Sequence, residues 1–413
     1  MKFGNYTKLG ITLLLIMGIF VNAGFAQKAD SQKSPQEKAQ AEFNKQVENL
    51  SAEACYEKAK HLAESFQVRL AMKYLNAAIS KNKNLLKAYK LRANINIDFP
   101  EMVLADINFI LKKEPDNTRY LSKRMRIYDR MGNYKKWLAD AKQYAKIKPD
   151  SKSIAKKILD YYIQFGDLKK AARLAKEYNK KFPSPVESKI IEGKIYFWQG
   201  KYSKASSAYK KALRYAKKTG ADLRTVLSIR KQYGFTCIMR KRFANARTEF
   251  KYLRKMQSEN KIAKIGMLTY LLASKASKSK VKKALSDMNL KTLYPGVRLF
   301  AYILAKPKLP KKADEISSKA TADFTEIKYF HGLLFARLSK KIDEKTFDAK
   351  AGEMKLSPEE NALVKILKAQ IALENKDRKT ARKLLKKVMK SRFPDNMYLR
   401  AFAFAMLRNI PKK

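Results

Sequence analysis

The chain has 413 residues, 46% of them hydrophobic, which is enough to bury a sizeable core and excludes a disordered polymer. Glycine and proline number only 14 and 12, a composition that favours helices over a sandwich or barrel. Ninety-one Lys and Arg against 37 Asp and Glu give a formal charge of +54, a field suited to acidic proteins, anionic polymers or anionic membrane surfaces; a solvated, lysine-rich helix surface is the competing reading.

Residues 1–26 read as a secretion signal, with Lys2 and Lys8 ahead of an apolar run from Leu9 to Val21 and a small-residue exit at Gly24-Phe25-Ala26. Cleavage after Ala26 gives an exported chain, periplasmic or secreted, with no integral membrane span; an uncleaved N-terminal anchor is the alternative. Residues 27–50 are polar and read as a flexible arm. Helix-turn-helix units then run from 51 to 257, about six in number. Ala71, Leu75 and Ala78 mark the first, and Leu85 to Pro115 is a second whose first helix is two residues longer. Over 258–356 helical stretches such as Met267–Ala273 and Lys328–Leu338 persist without a fixed period. Over 357–413 a hairpin marked by Ala369, Ala372, Ala381 and Leu385 precedes a capping helix from Met397 to Leu407.

The clearest signal is a spacing of 34 residues, shared by Gly132, Gly166 and Gly200, by Tyr128, Tyr162 and Tyr196, and by Pro115, Pro149 and Pro183. Each mark has a physical role: the glycine ends the first helix in a left-handed conformation, and the proline closes the second helix where no amide donor is needed. The tyrosine lies on the inner face of the first helix. Apolar residues at three- and four-residue spacing, as in Ala205, Tyr209 and Ala212, form stripes that one hairpin cannot bury alone, so neighbours must stack. Cys55 and Cys237 fall on such apolar faces in separate units and read as buried free thiols.

At these positions the chain resembles the tetratricopeptide-repeat family. The best unit, 186–217, holds Gly193, Tyr196, Gly200, Tyr202, Ala205, Tyr209 and Ala212; in the two units before it, small and large positions are exchanged as Ala141/Tyr144 and Ala175/Tyr178. Trp137 departs from the family's preference for alanine there. The resemblance implies an all-α, right-handed superhelical solenoid whose first helices line a concave groove. Offsets from the turn glycine then place in that groove Lys90 and Asn94; Arg119, Ser122, Arg126, Asp129 and Arg130; Ser153, Lys156, Asp160 and Gln164; Lys194, Phe197 and Trp198; and Lys231 and Phe235. Such a lining suits an extended acidic peptide or a C-terminal carboxylate, with Trp198 as a flat apolar anchor; the bland reading of each residue is a solvated helix face. Some family members clamp a partner's terminal carboxylates with lysine and asparagine from successive repeats. Lys90 and Asn94 echo part of that clamp, but Lys123 stands where the next asparagine belongs, so the resemblance stops short of that ligand.

Catalysis needs convergent groups, and His61 and His331 lie far apart with no neighbouring cysteine or paired acid. No metal-ligand spacing or phosphate loop occurs, and no cofactor is implied. The expectation is a non-enzymatic interaction scaffold in the cell envelope that binds a protein partner. The alternative is a binder of an anionic polymer, whether acidic polysaccharide, lipid head groups or nucleic acid, accessory to envelope assembly or polysaccharide export.

Overall fold

The structure, a computed structural model, describes residues 34–96, 99–257, 260–286, 299–301, 303–304, 330–338, 342–354, 356–392 and 397–411. Among these there are twenty helices and no strand. Residues 1–26, on which the expected secretion signal falls, stretches 287–298 and 305–329 of the diverged region, and Pro394 lie outside the described residues. Contacts divide the chain into two units, Met1–Ile127 and Tyr128–Lys413.

The first unit begins with α1, Pro35–Glu48, where the sequence reading leaves a flexible arm. Its start is a capping box: Ser34 Oγ accepts from the Glu37 amide at 3.3 Å, and the Glu37 carboxylate accepts from the Ser34 amide at 2.8 Å. Phe43 and Val47, one helical turn apart, bury themselves, and the Phe43 ring stands edge-on to Tyr74 at 5.0 Å. Two large apolar residues in fourteen are too few to announce a stripe, which is why composition reads this helix as an arm. Next come α2, Ala52–Glu64, and α3, Val68–Lys81, whose Cys55, Ala59, Leu75 and Ala78 form one core cluster with Phe43, Val47 and Tyr74. The small side chains there let the two helices approach closely.

In the next hairpin, α4, Leu86–Ile95, has ten residues rather than a lengthened run, and α5 spans Pro100–Lys113. Pro100 disfavours helical backbone at the residue before it, and the Asn96 side chain accepts from the Phe99 amide at 3.2 Å, so the chain turns early. Asp106 of α5 is fully buried and accepts from Arg92 Nε at 3.0 Å and Nη2 at 2.7 Å. Burial raises the Asp106 pKa while the Arg92 bonds pull it down, the expected contest for a buried ion pair.

α6, Thr118–Arg130, follows, and the boundary at Tyr128 falls within it. The second unit continues with α7, Tyr134–Ile147; the hairpin of α8, Lys152–Gln164, and α9, Leu168–Lys181; and that of α10, Pro185–Trp198, and α11, Tyr202–Lys218. Then come α12, Leu223–Met239, with α13, Phe243–Met256, and α14, Lys261–Ala273, with α15, Lys278–Ser286. The remaining helices are α16, Phe330–Leu338; α17, Glu344–Glu353; α18, Pro358–Glu374; α19, Arg378–Lys390; and α20, Met397–Asn409.

The turn positions of the repeat are not all alike. Gly132 and Gly200 take the left-handed conformation, at φ 67° and 75°, but Gly166 does not; a Cβ there would lie 2.5 Å from the Tyr162 ring, so glycine makes room for the tyrosine instead. Lys241 and Lys376 hold the corresponding turns at φ 60° and 62°, a conformation that costs a side-chain-bearing residue about 1 kcal/mol. At Gly193, a Cβ would meet the Tyr209 ring at 2.5 Å, which sets the close approach of α10 and α11. Tyr209 is fully buried and its hydroxyl donates to Gln232 Oε1 at 3.1 Å.

The C-terminal helix is more than an end cap. α20 packs on α19, as expected of a capping helix, but also on α12 and α14. Tyr398, Leu399, Phe402, Ala403 and Met406 are all buried, Phe402 stacks on Phe300 at 3.6 Å, and Asn409 Nδ2 donates to the Leu272 carbonyl at 2.9 Å. A helix apolar around its whole circumference is a core helix, and each of its large side chains contributes about 2 kcal/mol by burial. Cys55 in the first unit and Cys237 in the second are buried free thiols, and burial pushes the Cys237 thiol up to about 11.

Candidate functional site

In the first unit the predicted groove residues sit on α4 and α6. Arg119, Lys123 and Arg126 are spaced by four and three residues, so they share one face of α6; Arg130 belongs to the second unit. Arg119, Arg126, Asp129 and Arg130 are exposed, and Ser122 is half-buried. Asp129 is the only acid on the helix. Among the described residues no carboxylate lies within ion-pair distance of Arg119, Arg126 or Arg130.

Lys123 occupies the centre of this face. Its ammonium donates to the Ala93 carbonyl in the last turn of α4 and to Asn94 Oδ1 at 3.4 Å. Burial lowers its pKa, and repulsion from Arg126 and Arg119 lowers it further. The position where a carboxylate clamp wants asparagine is therefore filled by a cation seated on Asn94. Asn94 Nδ2 also meets the Tyr120 hydroxyl at 3.5 Å. Lys90, by contrast, is engaged: it pairs with Glu114 at 2.5 Å, and that bond, with one from Asn117, holds the Glu114 carboxyl below its usual range.

On α8 and α10 of the second unit the cations predicted for the groove, Lys156 and Lys194, face carboxylates. Lys156 pairs with Asp160 at 3.3 Å and approaches Glu187 at 3.8 Å; Lys194 meets Asp160 at 3.4 Å, and Lys152 meets Glu187 at 3.0 Å. This ladder across α8 and α10 sets three lysines against two carboxylates, so every cation in it has an acidic partner. Gln164 Nε2 is buried without a hydrogen-bond partner, Ser153 is exposed and Lys231 is half-buried.

The predicted aromatic anchor is closed. Phe197 is 0% exposed, Trp198 8% and Phe235 1%: Phe197 packs on Tyr202 of α11, Phe235 on Phe250 of α13, and α20 adds Arg400 against Phe197 and Trp198 and Tyr398 against Phe235. From α20, Arg400 sets its guanidinium 4.5 Å from the Trp198 ring centre and donates through Nη1 to the carbonyls of Phe197 at 3.3 Å and Trp198 at 3.5 Å. It thereby caps the C-terminal end of α10, where a cation meets the negative end of the helix. Phe197, Trp198 and Phe235 are thus core residues, not ligand anchors. The sequence signal that could have found this is Arg400 itself, a lone cation within the otherwise apolar run Tyr398 to Leu407.

Helical hairpins recur along the described residues, with the 34-residue register at Gly132, Gly166 and Gly200. The fold is tetratricopeptide-like. No family model matches the chain, and no curated protein does. Among solved structures, it is similar to a tetratricopeptide repeat protein from Parabacteroides merdae at 14% identity, covering 86% of this chain and 98% of that one, with a TM-score of 0.34. It is also similar to yeast Tom70 at 16% identity, covering 87% and 96%, with a TM-score of 0.25. Both likenesses are loose, and the assignment of the architecture stands on the 34-residue register and the hairpins themselves.

Proposed function

We propose that this chain is a non-enzymatic interaction scaffold, exported to the periplasm or secreted, and that the α4/α6 face receives an extended acidic segment of a protein partner. The observation that carries this reading is the ladder Arg119, Lys123 and Arg126, whose cations lack a carboxylate partner among the described residues while Lys156 and Lys194 of α8 and α10 are paired with Asp160. An unbalanced ladder raises the local concentration of an acidic chain and offers charge-assisted donors once it lands. Exposed arginines fork onto carboxylates, and each residue adds about 1.5 Å of helix rise, so Arg119 to Arg126 spans about three residues of an extended peptide. No helix among the described residues is long and apolar enough to cross a membrane. The export part of the reading rests on the character of residues 1–26.

Fluorescence anisotropy with a labelled, glutamate-rich extended peptide tests it. Wild-type protein binds, and Arg119→Glu with Arg126→Glu abolishes binding without altering the far-UV circular dichroism. Undiminished binding by the double variant would remove the proposal. The second reading, an anionic polymer as ligand, is favoured by the formal charge of +54 and would show as binding to acidic polysaccharide or nucleic acid that collapses with salt.

A further inference from the structure

Two neighbouring hairpin turns of the second unit, at the start of α11 and between α12 and α13, border an open cleft of about 540 Å³. Its lining carries Lys201, Lys204, Arg240 and Arg242, together with Ser203, and no carboxylate. Arg240 is fixed by donation from Nη1 to Ser206 Oγ at 2.9 Å, while Lys201, Lys204 and Arg242 are exposed.

The other repeats of the same chain supply the control. At the residue after the turn, three of them place a side-chain acceptor that caps the second helix: Asn133 accepts from the Lys136 amide at 3.3 Å, Asp167 from Lys169 at 2.7 Å, and Asp377 from Thr380 at 3.0 Å; Gln67, at the start of α3, is uncapped but carries no charge. In the two cleft turns that position holds Lys201 and Arg242. Neither caps its helix, and neither α11 nor α13 has an acid in its first turn. A cation at the positive end of a helix is unfavourable, and an uncapped helix start gives up stability that Asn or Asp would supply. Between them Lys241 sits in the left-handed conformation that Gly200 takes one repeat earlier. The cleft therefore gathers four like charges around two helix starts that carry no side-chain cap.

We propose that this cleft binds a phosphate-class oxyanion, supplied either as free phosphate or as the phosphodiester of a lipid head group. Two arginine forks and two lysines suit the several acceptor oxygens of such a group, and Ser203 adds a hydroxyl donor. The bound anion does for α11 and α13 what the capping carboxylates do elsewhere. This site is distinct from the α4/α6 face and does not depend on that reading.

The experiment is a thermal-melt titration of the full chain with inorganic phosphate against chloride at matched ionic strength, with a parallel sedimentation arm using phosphatidylglycerol vesicles and phosphatidylcholine vesicles. Wild type shows a saturable rise in melting temperature with phosphate beyond that with chloride, or, where lipid is the source, sediments with phosphatidylglycerol only. Lys201→Asp with Arg242→Asp installs the caps of the other repeats, so the anion-free protein melts at a higher temperature while the phosphate or vesicle response disappears. Arg240→Gln leaves both turns intact and weakens the response on the order of tenfold. A wild type that responds to phosphate as it does to chloride and ignores both vesicles, or a capped variant that responds as wild type does, overturns the proposal.

Discussion

On α6 the first-helix register presents Arg119, Lys123 and Arg126 outward from the first unit; on α10 and α12 the same register presents Phe197, Trp198 and Phe235, and α20 covers them. The two faces are built by one repeat rule and have opposite fates. What separates them is the return of the chain: α20 supplies Arg400 and a continuous apolar surface to the second unit, 203 residues downstream of Phe197. A face becomes a binding surface or a piece of core according to whether a later segment has chemistry that fits it.

The largest effect should come from opening the covered face. Phe402→Ala removes a fully buried ring stacked on Phe300 and should cost about 3–5 kcal/mol, read as a lower urea midpoint by tryptophan fluorescence. Both tryptophans, Trp137 and Trp198, lie in the second unit, so that signal reports it alone. Arg400→Ala should follow at about 2–3 kcal/mol, since it strips the end of α10 of its cap and leaves a void beside Trp198. Its emission should shift to the red as water reaches the indole, whereas Arg400→Met, which keeps the packing, should lose less.

The open face should respond in the reverse sense, with binding affected and stability spared. Arg119→Glu plus Arg126→Glu should weaken an acidic peptide by more than about tenfold in anisotropy while shifting stability by no more than about 0.5 kcal/mol. Lys156→Gln, made on the paired ladder, should change the same affinity less than about threefold, because Asp160 and Glu187 already neutralise it. The smallest effect concerns Lys123. Its pKa is lowered by burial and by its arginine neighbours, so as pH rises it loses its charge before an ordinary lysine near ~10.4 does. Peptide affinity should begin to fall below that value, and Lys123→Gln should remove that part of the slope.

Much of this architecture is legible in the sequence, because a glycine, a tyrosine and a proline repeating together can only mean a stacked unit. The Arg119/Arg126 ladder is equally legible, since helical spacing alone puts those residues on one side. Lys123 is visible only as a departure from a clamp, although its spacing puts it in the same ladder. Two features lie beyond local pattern. α1 is held by Phe43 and Val47 against a distant Tyr74, and a pair of apolar residues gives no period to read. The burial of Trp198 depends on α20, and no property of the 186–217 unit records a contact made two hundred residues later. The pairing of Lys152 with Glu187 is missed for a related reason: it joins adjacent repeats, so each charge looks solvated within its own.

The central claim, that the α4/α6 face is open to an acidic chain and the α10/α12 face is not, is tested most directly by hydrogen exchange with and without a saturating glutamate-rich peptide. The account predicts new protection over 86–95 and 118–130 with exchange in 185–198 and 397–409 unchanged. Protection of α10 together with faster exchange in α20 would mean that the peptide displaces the C-terminal helix, and would contradict it.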